Sequence, residues 1–578
     1  MQKRTLLSLA LLSANVFAQQ AADDIAPELS SGVSDKQAVN ASQFMVASAN
    51  PLATEAGYAV LKKGGSAIDA MVAVQTMLGL VEPQSSGLGG GAFLVYYNAE
   101  KQQLTSYDGR ETAPLAATPE LFLDDKGQPL AFFDAVVGGR SVGTPGTVKL
   151  MADLHQQYGN QPWAELLQPA LLTAQQGFKV SPRLAGAIAA DQKRLSRYPD
   201  TRAYFFTAEG QPLAEGHRLK NPDYAKTLTQ LAKEGADAFY HGQIARDIVH
   251  RVQHADGNPG VLALRDFAAY EIKQRDVICA PYQQYEICGM GPPSSGALTI
   301  GQILGIVSQF DLKTLGPNNP ISWQIIGDAS RLAFADRGNY MADTDFVPMP
   351  EGLLDPDYLK SRAALINQGK ALTDVSAGSP PWQTPVARQT LPAIELPSTT
   401  HIVIIDAKGN IVSMTSTIEN GFGSRLMSNG FLLNNELTDF AFAPVKTGHL
   451  IANRVEPGKR PRSSMAPTIV MKDDQPYMAI GSPGGSRIIG YVTNALIRHL
   501  TWDMDIQQAI SAPHALNRFG TYDIEAGTAA EYLLEPLETM GFKVNVRDLN
   551  SGLQAILLDG KGLVGAADPR REGIAMGE

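Results

Sequence analysis

Thr399-Thr400-His401 stands where a stretch rich in Pro, Ser and Thr, residues 377–398, gives way to the apolar run Ile402-Val403-Ile404-Ile405. A threonine hydroxyl is a weak nucleophile. Scission of the peptide bond between Ser398 and Thr399 would leave an α-amino group beside that hydroxyl, and the amine can then act as its base. With a reference pKa of ~7.7–8.0, a useful fraction of such an amine is neutral at about pH 7.5 without a histidine. On local sequence alone the ordinary reading, a β-branched pair opening a strand, is the stronger one.

Other segments carry complementary chemistry. Ser482-Pro483-Gly484-Gly485-Ser486 lies between the apolar run 477–480 and a helix-like run 488–500. The bare N–H groups of Gly484 and Gly485 suit a developing oxyanion, although a tight strand-to-helix turn explains the glycines equally well. Arg110, in Tyr107-Asp108-Gly109-Arg110-Glu111, follows a strand end, where a guanidinium can grip a carboxylate by two parallel hydrogen bonds or simply form a surface ion pair. Asn434-Asn435-Glu436-Leu437-Thr438-Asp439 offers two acids, and Arg460-Pro461-Arg462-Ser463-Ser464 offers hydroxyls in a basic turn. Both also read as solvated loop.

Three rival signals are weaker. Gly139-Arg140-Ser141-Val142-Gly143 matches the G-x-S-x-G elbow of serine hydrolases, but Gly143-Thr144-Pro145-Gly146 stands where the helix should begin. His250 and His254 have the i, i+4 spacing of a metal pair, yet Arg251 occupies the glutamate position of H-E-x-x-H. The run Gly87-Leu88-Gly89-Gly90-Gly91 precedes a strand, whereas a dinucleotide loop follows one. Residues 439–463, broken by Pro444, Gly448, Pro457, Gly458 and Pro461, read as a lid.

The elements that must position these groups are legible in part. Residues 51–61 read as a helix stopped by Gly64-Gly65, and Ser66 with Asp69 reads as a capping box opening a second helix to about Leu80. Strands are expected at 92–97, at 104–107 and within 262–290, in a region (147–365) that is otherwise mostly helical. Hairpins are expected at 401–417 about the turn Asp406-Ala407-Lys408-Gly409-Asn410, and at 553–567. Strands are thus expected to concentrate after residue 399 and helices before it. Residues 401–405 read as a strand covered on both faces. Cys279 and Cys288, each four residues from Gln283-Gln284, face one another if that pair is a two-residue turn; a disulfide and two buried thiols both fit.

Composition bounds the class. A chain of 578 residues with 44% hydrophobic and 18% charged residues is globular. Its formal charge of −10 argues against a dedicated nucleic-acid binder, which needs surplus Lys and Arg. Residues 1–18, with Lys3 and Arg4 before an apolar stretch and Val16 and Ala18 before a cut, read as a secretory signal peptide. An exported, periplasmic or secreted product without a membrane span is expected.

Taken in order, these segments resemble the gamma-glutamyltransferase (gamma-glutamyltranspeptidase, glutathione hydrolase) family, from Met45-Val46-Ala47-Ser48 to Ala567-Asp568-Pro569-Arg570. Most specific are Gly87 to Gly91, Gly143 to Gly146, Pro292-Pro293-Ser294-Ser295-Gly296, Thr399-Thr400-His401, the run from Asn434 to Phe440, that from Arg460 to Pro467, and that from Gly481 to Arg487. The resemblance implies an α/β N-terminal-nucleophile fold, a four-layer αββα sandwich made as one precursor. The precursor cuts itself into a large subunit, 19–398, and a small catalytic subunit, 399–578, which stay associated. It implies Thr399 as nucleophile, first on the carbonyl of Ser398 and then on the γ-amide of glutathione or another γ-glutamyl compound, with Thr417 orienting its hydroxyl. Gly484 and Gly485 would form the oxyanion hole. Arg110, Ser463 and Ser464 would hold the α-carboxylate, and Glu436 and Asp439 the α-ammonium. The acyl ester would pass to water or to an amino-acid or peptide acceptor, with no metal or organic cofactor.

Two departures stand out. Glu419, in Thr417-Ile418-Glu419-Asn420, occupies a position near the ammonium that is asparagine in many members, and the lid is shorter than in longer-lidded ones. Three alternatives follow: an amidase of the same kind with another acyl specificity, a noncatalytic exported solute-binding protein, and a serine hydrolase using Ser141.

Overall fold

The strand Thr399–Ile405 runs through a tight turn into Ile411–Thr417, and every residue of both strands is buried. The turn is held by Asp406, whose Oδ1 accepts the N–H groups of Lys408 and Asn410 at 2.9 and 3.0 Å, with Gly409 supplying a φ of +83°. The structure, a computed structural model, describes residues 32–386 and 398–578. The expected signal peptide lies outside the described residues, as does most of the stretch before Ser398.

This hairpin is the centre of a seven-stranded antiparallel sheet. Its order is Ile574–Gly577, Met45–Ser48, Thr399–Ile405, Ile411–Thr417, Gly91–Asn98, Gln103–Gly109, Lys273–Arg275. A second antiparallel sheet runs Val39–Ala41, Leu563–Ala567, Gln554–Leu558, Gln475–Gly481, Thr468–Lys472, Tyr285–Met290, Val277–Tyr282. Side-chain alternation decides the layering. Val403 and Ile405 point inward and pack with Met45, Val95, Ile469, Ala479 and Ile556 between the sheets. Ile402 and Ile404 point outward, against a helical layer that includes Pro51–Lys62, Ala67–Val81 and Trp163–Gln176. Val470, Met478 and Ile480 of the second sheet meet Gly296–Val307, Pro320–Tyr340 and Ile488–Leu500. The result is helix, sheet, sheet, helix. Each fully buried Ile or Leu contributes roughly 1.5–3 kcal/mol.

The capping box is present: Ser66 Oγ accepts the N–H of Asp69, and Asp69 Oδ2 accepts that of Ser66 at 2.8 Å. Strands do concentrate after residue 399 and helices before it: among the described residues nine strands precede Thr399 and fourteen lie from it onward. Both sheets nevertheless mix strands from the two sides of Thr399, a pairing the sequence does not betray because short, doubly covered strands such as Met45–Ser48 carry no alternation. Cys279 and Cys288 are register partners and form a disulfide. Among the described residues no helix is long and apolar enough to cross a membrane.

Candidate functional site

The hairpin register places Thr399 directly opposite Thr417, at the end of the sheet remote from the turn. Thr399 Oγ1 donates to Thr417 Oγ1 at 3.4 Å, and Thr417 Oγ1 donates to the carbonyl of Ser398 at 2.8 Å. The N–H of Glu419 donates to Thr417 Oγ1 at 2.8 Å, leaving that hydroxyl's proton for Ser398. The glycine run lies beneath: a Cβ at Gly90 would collide with the carbonyl oxygen of Thr417, so the adjacent strand approaches closely only as glycine.

Thr399 and Thr417 line a pocket enclosing about 250 Å³ of non-atom space, together with Arg110, Glu419, Glu436, Asp439, Ser463, Ser464 and Gly485. Arg110 is fully buried. Its Nη1 donates to Glu436 Oε1, its Nη2 donates to Asp439 Oδ2 at 2.5 Å, and the Pro461 and Arg462 carbonyls accept from Nε and Nη2 at 3.3 and 3.1 Å. Burial opposes the charge on Arg110, but Glu436, Asp439 and Glu111 outweigh it and hold the guanidinium above its ordinary range. One cation and two anions therefore converge on one pocket wall.

Ser463 and Ser464 are fixed from behind. Arg337 donates to Ser295 Oγ and to Ser464 Oγ, both at 2.7 Å, and Ser295 Oγ donates to the Ser463 carbonyl at 2.7 Å. Asn434 ties three of the motif segments together. Its Oδ1 accepts from the N–H groups of Gly143 and Glu436, and its Nδ2 donates to the carbonyls of Gly89 and Gly143, all between 2.8 and 3.0 Å. Glu419, at φ +75°, accepts from Asn435 Nδ2 at 2.5 Å.

Gly484 and Gly485 have φ of +134° and +58° and open the turn that leads into Ile488–Leu500. A Cβ on Gly484 would lie 2.7 Å from the Tyr491 ring, and Gly485 lines the pocket.

Two side chains beside the site were not singled out from the sequence. Glu111 is completely buried, with Glu436 and Arg110 as its charged neighbours. Burial first, and the neighbouring Glu436 charge second, push its carboxyl well above the usual range against the pull of Arg110. Arg337 sits in the long helix Pro320–Tyr340. An acid directly after Arg110 was a visible signal; Arg337, far from every motif, gave none.

The rival signals resolve differently. Ser141 is buried in a short turn and its hydroxyl donates to the Val136 carbonyl at 2.7 Å, as a structural serine does. His254 Nδ1 pairs with the His250 carbonyl at 2.9 Å, and the rings stack at 4.3 Å. Among the described residues no group of three or more His, Cys, Asp and Glu side chains could hold a metal. The lid candidate is a two-stranded hairpin, Val445–Lys446 with His449–Leu450, and Phe442 at its base stacks on Phe122 at 4.7 Å.

Comparison with known proteins bears on the whole chain. The family model described as Gamma-glutamyltranspeptidase matches residues 53–578. The glutathione hydrolase proenzyme of Bacillus subtilis (strain 168) is 38% identical over 546 residues, covering 92% of this chain and 91% of that protein. The glutathione hydrolase proenzyme of Escherichia coli (strain K12) is 36% identical over 577 residues, covering 97% and 96%. Among solved structures, the cephalosporin acylase from Bacillus halodurans superposes with a TM-score of 0.83 at 27% identity, covering 94% of this chain and 97% of that one. The fold is that of the N-terminal-nucleophile hydrolases, and by sequence this chain belongs to the gamma-glutamyltranspeptidase family.

Proposed function

We propose that this protein is a self-processing γ-glutamyl hydrolase and transpeptidase, exported as a precursor. The precursor cuts between Ser398 and Thr399, giving subunits 19–398 and 399–578 that share both sheets and so stay associated. The relatives' name, glutathione hydrolase proenzyme, supports both the substrate class and the precursor. The observation that carries the reading is the convergence of Arg110, Glu436 and Asp439 on the wall of the pocket that holds Thr399.

A γ-glutamyl group ends in one carboxylate and one ammonium, remote from the scissile amide. The carboxylate takes Arg110, Ser463 and Ser464, while the ammonium takes Glu436, Asp439 and Glu419. Charge-assisted hydrogen bonds of about 1.5–3 kcal/mol each at the two poles then fix the amide carbonyl against Thr399. In the uncut chain Thr399 Oγ attacks the Ser398 carbonyl, whose oxygen the Thr417 hydroxyl polarises. The acyl group moves from nitrogen to oxygen, and water hydrolyses the ester. The freed α-amine then takes the Thr399 hydroxyl proton as the γ-carbonyl is attacked, and returns it to the leaving amine. Gly484 and Gly485 N–H groups hold the oxyanion. The γ-glutamyl ester on Thr399 passes to water or to the amine of an amino acid or peptide. No metal or organic cofactor enters these steps.

The likeness to a cephalosporin acylase supports a second reading, an amidase of other acyl specificity. Turnover of glutathione against its des-amino glutaryl analogue separates the two. A preference for glutathione of about 100-fold or more supports γ-glutamyl recognition; equal turnover contradicts it.

A further inference from the structure

Scission after Ser398 leaves the nucleophile on a chain end, and a chain end frays unless something ties it down. Before the cut, two contacts hold the scissile bond from its Ser398 side. The Ser398 hydroxyl donates to the Gln84 carbonyl at 2.6 Å, and the Ser398 carbonyl accepts from Thr417 Oγ1 at 2.8 Å. After the cut, the chain no longer passes either hold on to Thr399. The sheet grips the new end on one side only. Ile411–Thr417 pairs with all of Thr399–Ile405, whereas Met45–Ser48 pairs with Ile402 to Ile405 and stops short of Thr399, Thr400 and His401.

Arg571 reaches this end from within the same small subunit. Its Nη1 donates to the Thr399 carbonyl at 3.4 Å, its Nε donates to Asn550 Oδ1 at 3.2 Å, and the side chain is fully buried. Asp568 builds its place: the Oδ2 atom accepts the N–H groups of Gly552 and Leu553 at 2.8 and 3.0 Å, seating the turn that carries Arg571 against them. Gly552, at φ +95°, is the meeting point. A Cβ there would lie 2.5 Å from Arg571 Cδ and 2.8 Å from Pro483 Cγ, so the Arg571 stem and the Pro483 ring cover the same glycine. Pro483 directly precedes Gly484 and Gly485. One side chain therefore holds the carbonyl of the nucleophile residue and borders the base of the oxyanion turn.

Building on the self-processing reading, we propose that Arg571 is a positioning residue of the cut enzyme. It holds the Thr399 carbonyl once the peptide bond before it is gone, and so keeps the hydroxyl and the freed amine in register with the Gly484-Gly485 turn. A displacement of about 1 Å at a reacting group costs on the order of 10²-fold in rate, so this hold acts on kcat. Donor binding is set elsewhere, by Arg110, Glu436 and Asp439 on the pocket wall, and self-cleavage keeps its own holds at Ser398.

The test compares wild type with Arg571→Met, which keeps the stem and removes the donors, and with Arg571→Lys, which restores one donor. Cutting is followed by denaturing gel, and kcat and KM for a γ-glutamyl donor are measured on fully cut protein. Arg571→Met is expected to cut within about threefold of the wild-type rate and then to lose about 10- to 100-fold in kcat, with KM within about twofold; Arg571→Lys is expected to recover part of that loss. An unchanged kcat in cut Arg571→Met, or equal losses in cutting and turnover, overturns the proposal. Should Arg571→Met not fold, a crystal structure of the cut wild-type enzyme decides: Arg571 Nη1 is expected on the Thr399 carbonyl, and a guanidinium turned away from it overturns the proposal. The same gel separates the two levels. A wild type that turns over substrate without cutting sinks the self-processing reading and this proposal with it, whereas a cut, active wild type beside an equally active Arg571→Met sinks this proposal alone.

Discussion

The hydroxyl of Thr417 donates to the carbonyl oxygen of Ser398 at 2.8 Å, one residue before the strand on which Thr399 faces it. The contact exists because the antiparallel register sets residue 417 opposite 399, and because the Glu419 N–H occupies an acceptor position on the Thr417 oxygen and leaves its proton free. A side chain that orients the nucleophile thereby also polarises the bond to be cut.

Thr417→Val removes donor and acceptor while keeping the shape. Self-cleavage, followed by denaturing gel over time, is expected to slow about 10²- to 10³-fold, the cost of a lost oxyanion donor. Thr417→Ser keeps the hydroxyl and is expected to cut at close to the wild-type rate. Equal rates for Val and Ser would remove Thr417 from the chemistry.

Arg110 is held by two acids in a buried site. Arg110→Met leaves Glu436 and Asp439 without their cation and is expected to cost about 3–5 kcal/mol in urea unfolding. Arg110→Lys keeps the charge but loses the fork geometry, so KM for a γ-glutamyl donor is expected to rise about tenfold or more, with a smaller change in stability.

The raised carboxyl of Glu111 predicts that Glu111→Gln, an uncharged side chain of the same shape, folds and turns over near wild type, whereas Glu111→Ala leaves a cavity beside Arg110 and Glu436 and loses both stability and turnover. The sign of the pH effect follows from the raised carboxyl. Its contribution to stability is complete below the unfolded value of about 4.3 and is lost as pH rises through the folded value. Unfolding of Glu111→Gln is therefore expected to lose less stability than wild type on the alkaline side of that range.

His401 is fully buried beside Thr415 Oγ1, 2.9 Å from Nδ1, and burial lowers its pKa from 6.5 to about 3. It is neutral at pH 7. A depressed histidine contributes stability that is present above its unfolded pKa and lost as pH falls toward the folded one, about 1.4 kcal/mol for each unit within that window. Urea melts between pH 7 and 4 are expected to show a shallower acid loss for His401→Gln than for wild type. Parallel curves would mean that His401 titrates normally.

Much of this architecture was legible before any coordinates. The Ser66 and Asp69 cap, the hairpin at Asp406 to Asn410 and the doubly covered strand at His401 follow from local rules of capping, turn chemistry and periodicity. Met45–Ser48 and the interleaving of both sheets were not, because a four-residue apolar strand has no period that separates it from a helix segment. At the site, hydroxyls, acids and Arg110 were visible as types. Their convergence was not, since Asn434 joins residues 89, 143 and 436 through long-range hydrogen bonds that leave no mark on any single segment. Arg337 was hidden for the same reason: it acts on Ser464 from a helix 127 residues away in sequence.

The central claim is that chain scission creates the working base. Intact-mass analysis of purified wild-type protein and Thr399→Ala, paired with γ-glutamyl turnover, tests it most directly. The account predicts a 180-residue fragment beginning at Thr399 and active enzyme for the wild type, and a single uncut, inactive chain for the variant. A wild-type preparation that consists only of uncut chain and still turns over substrate fully would contradict it.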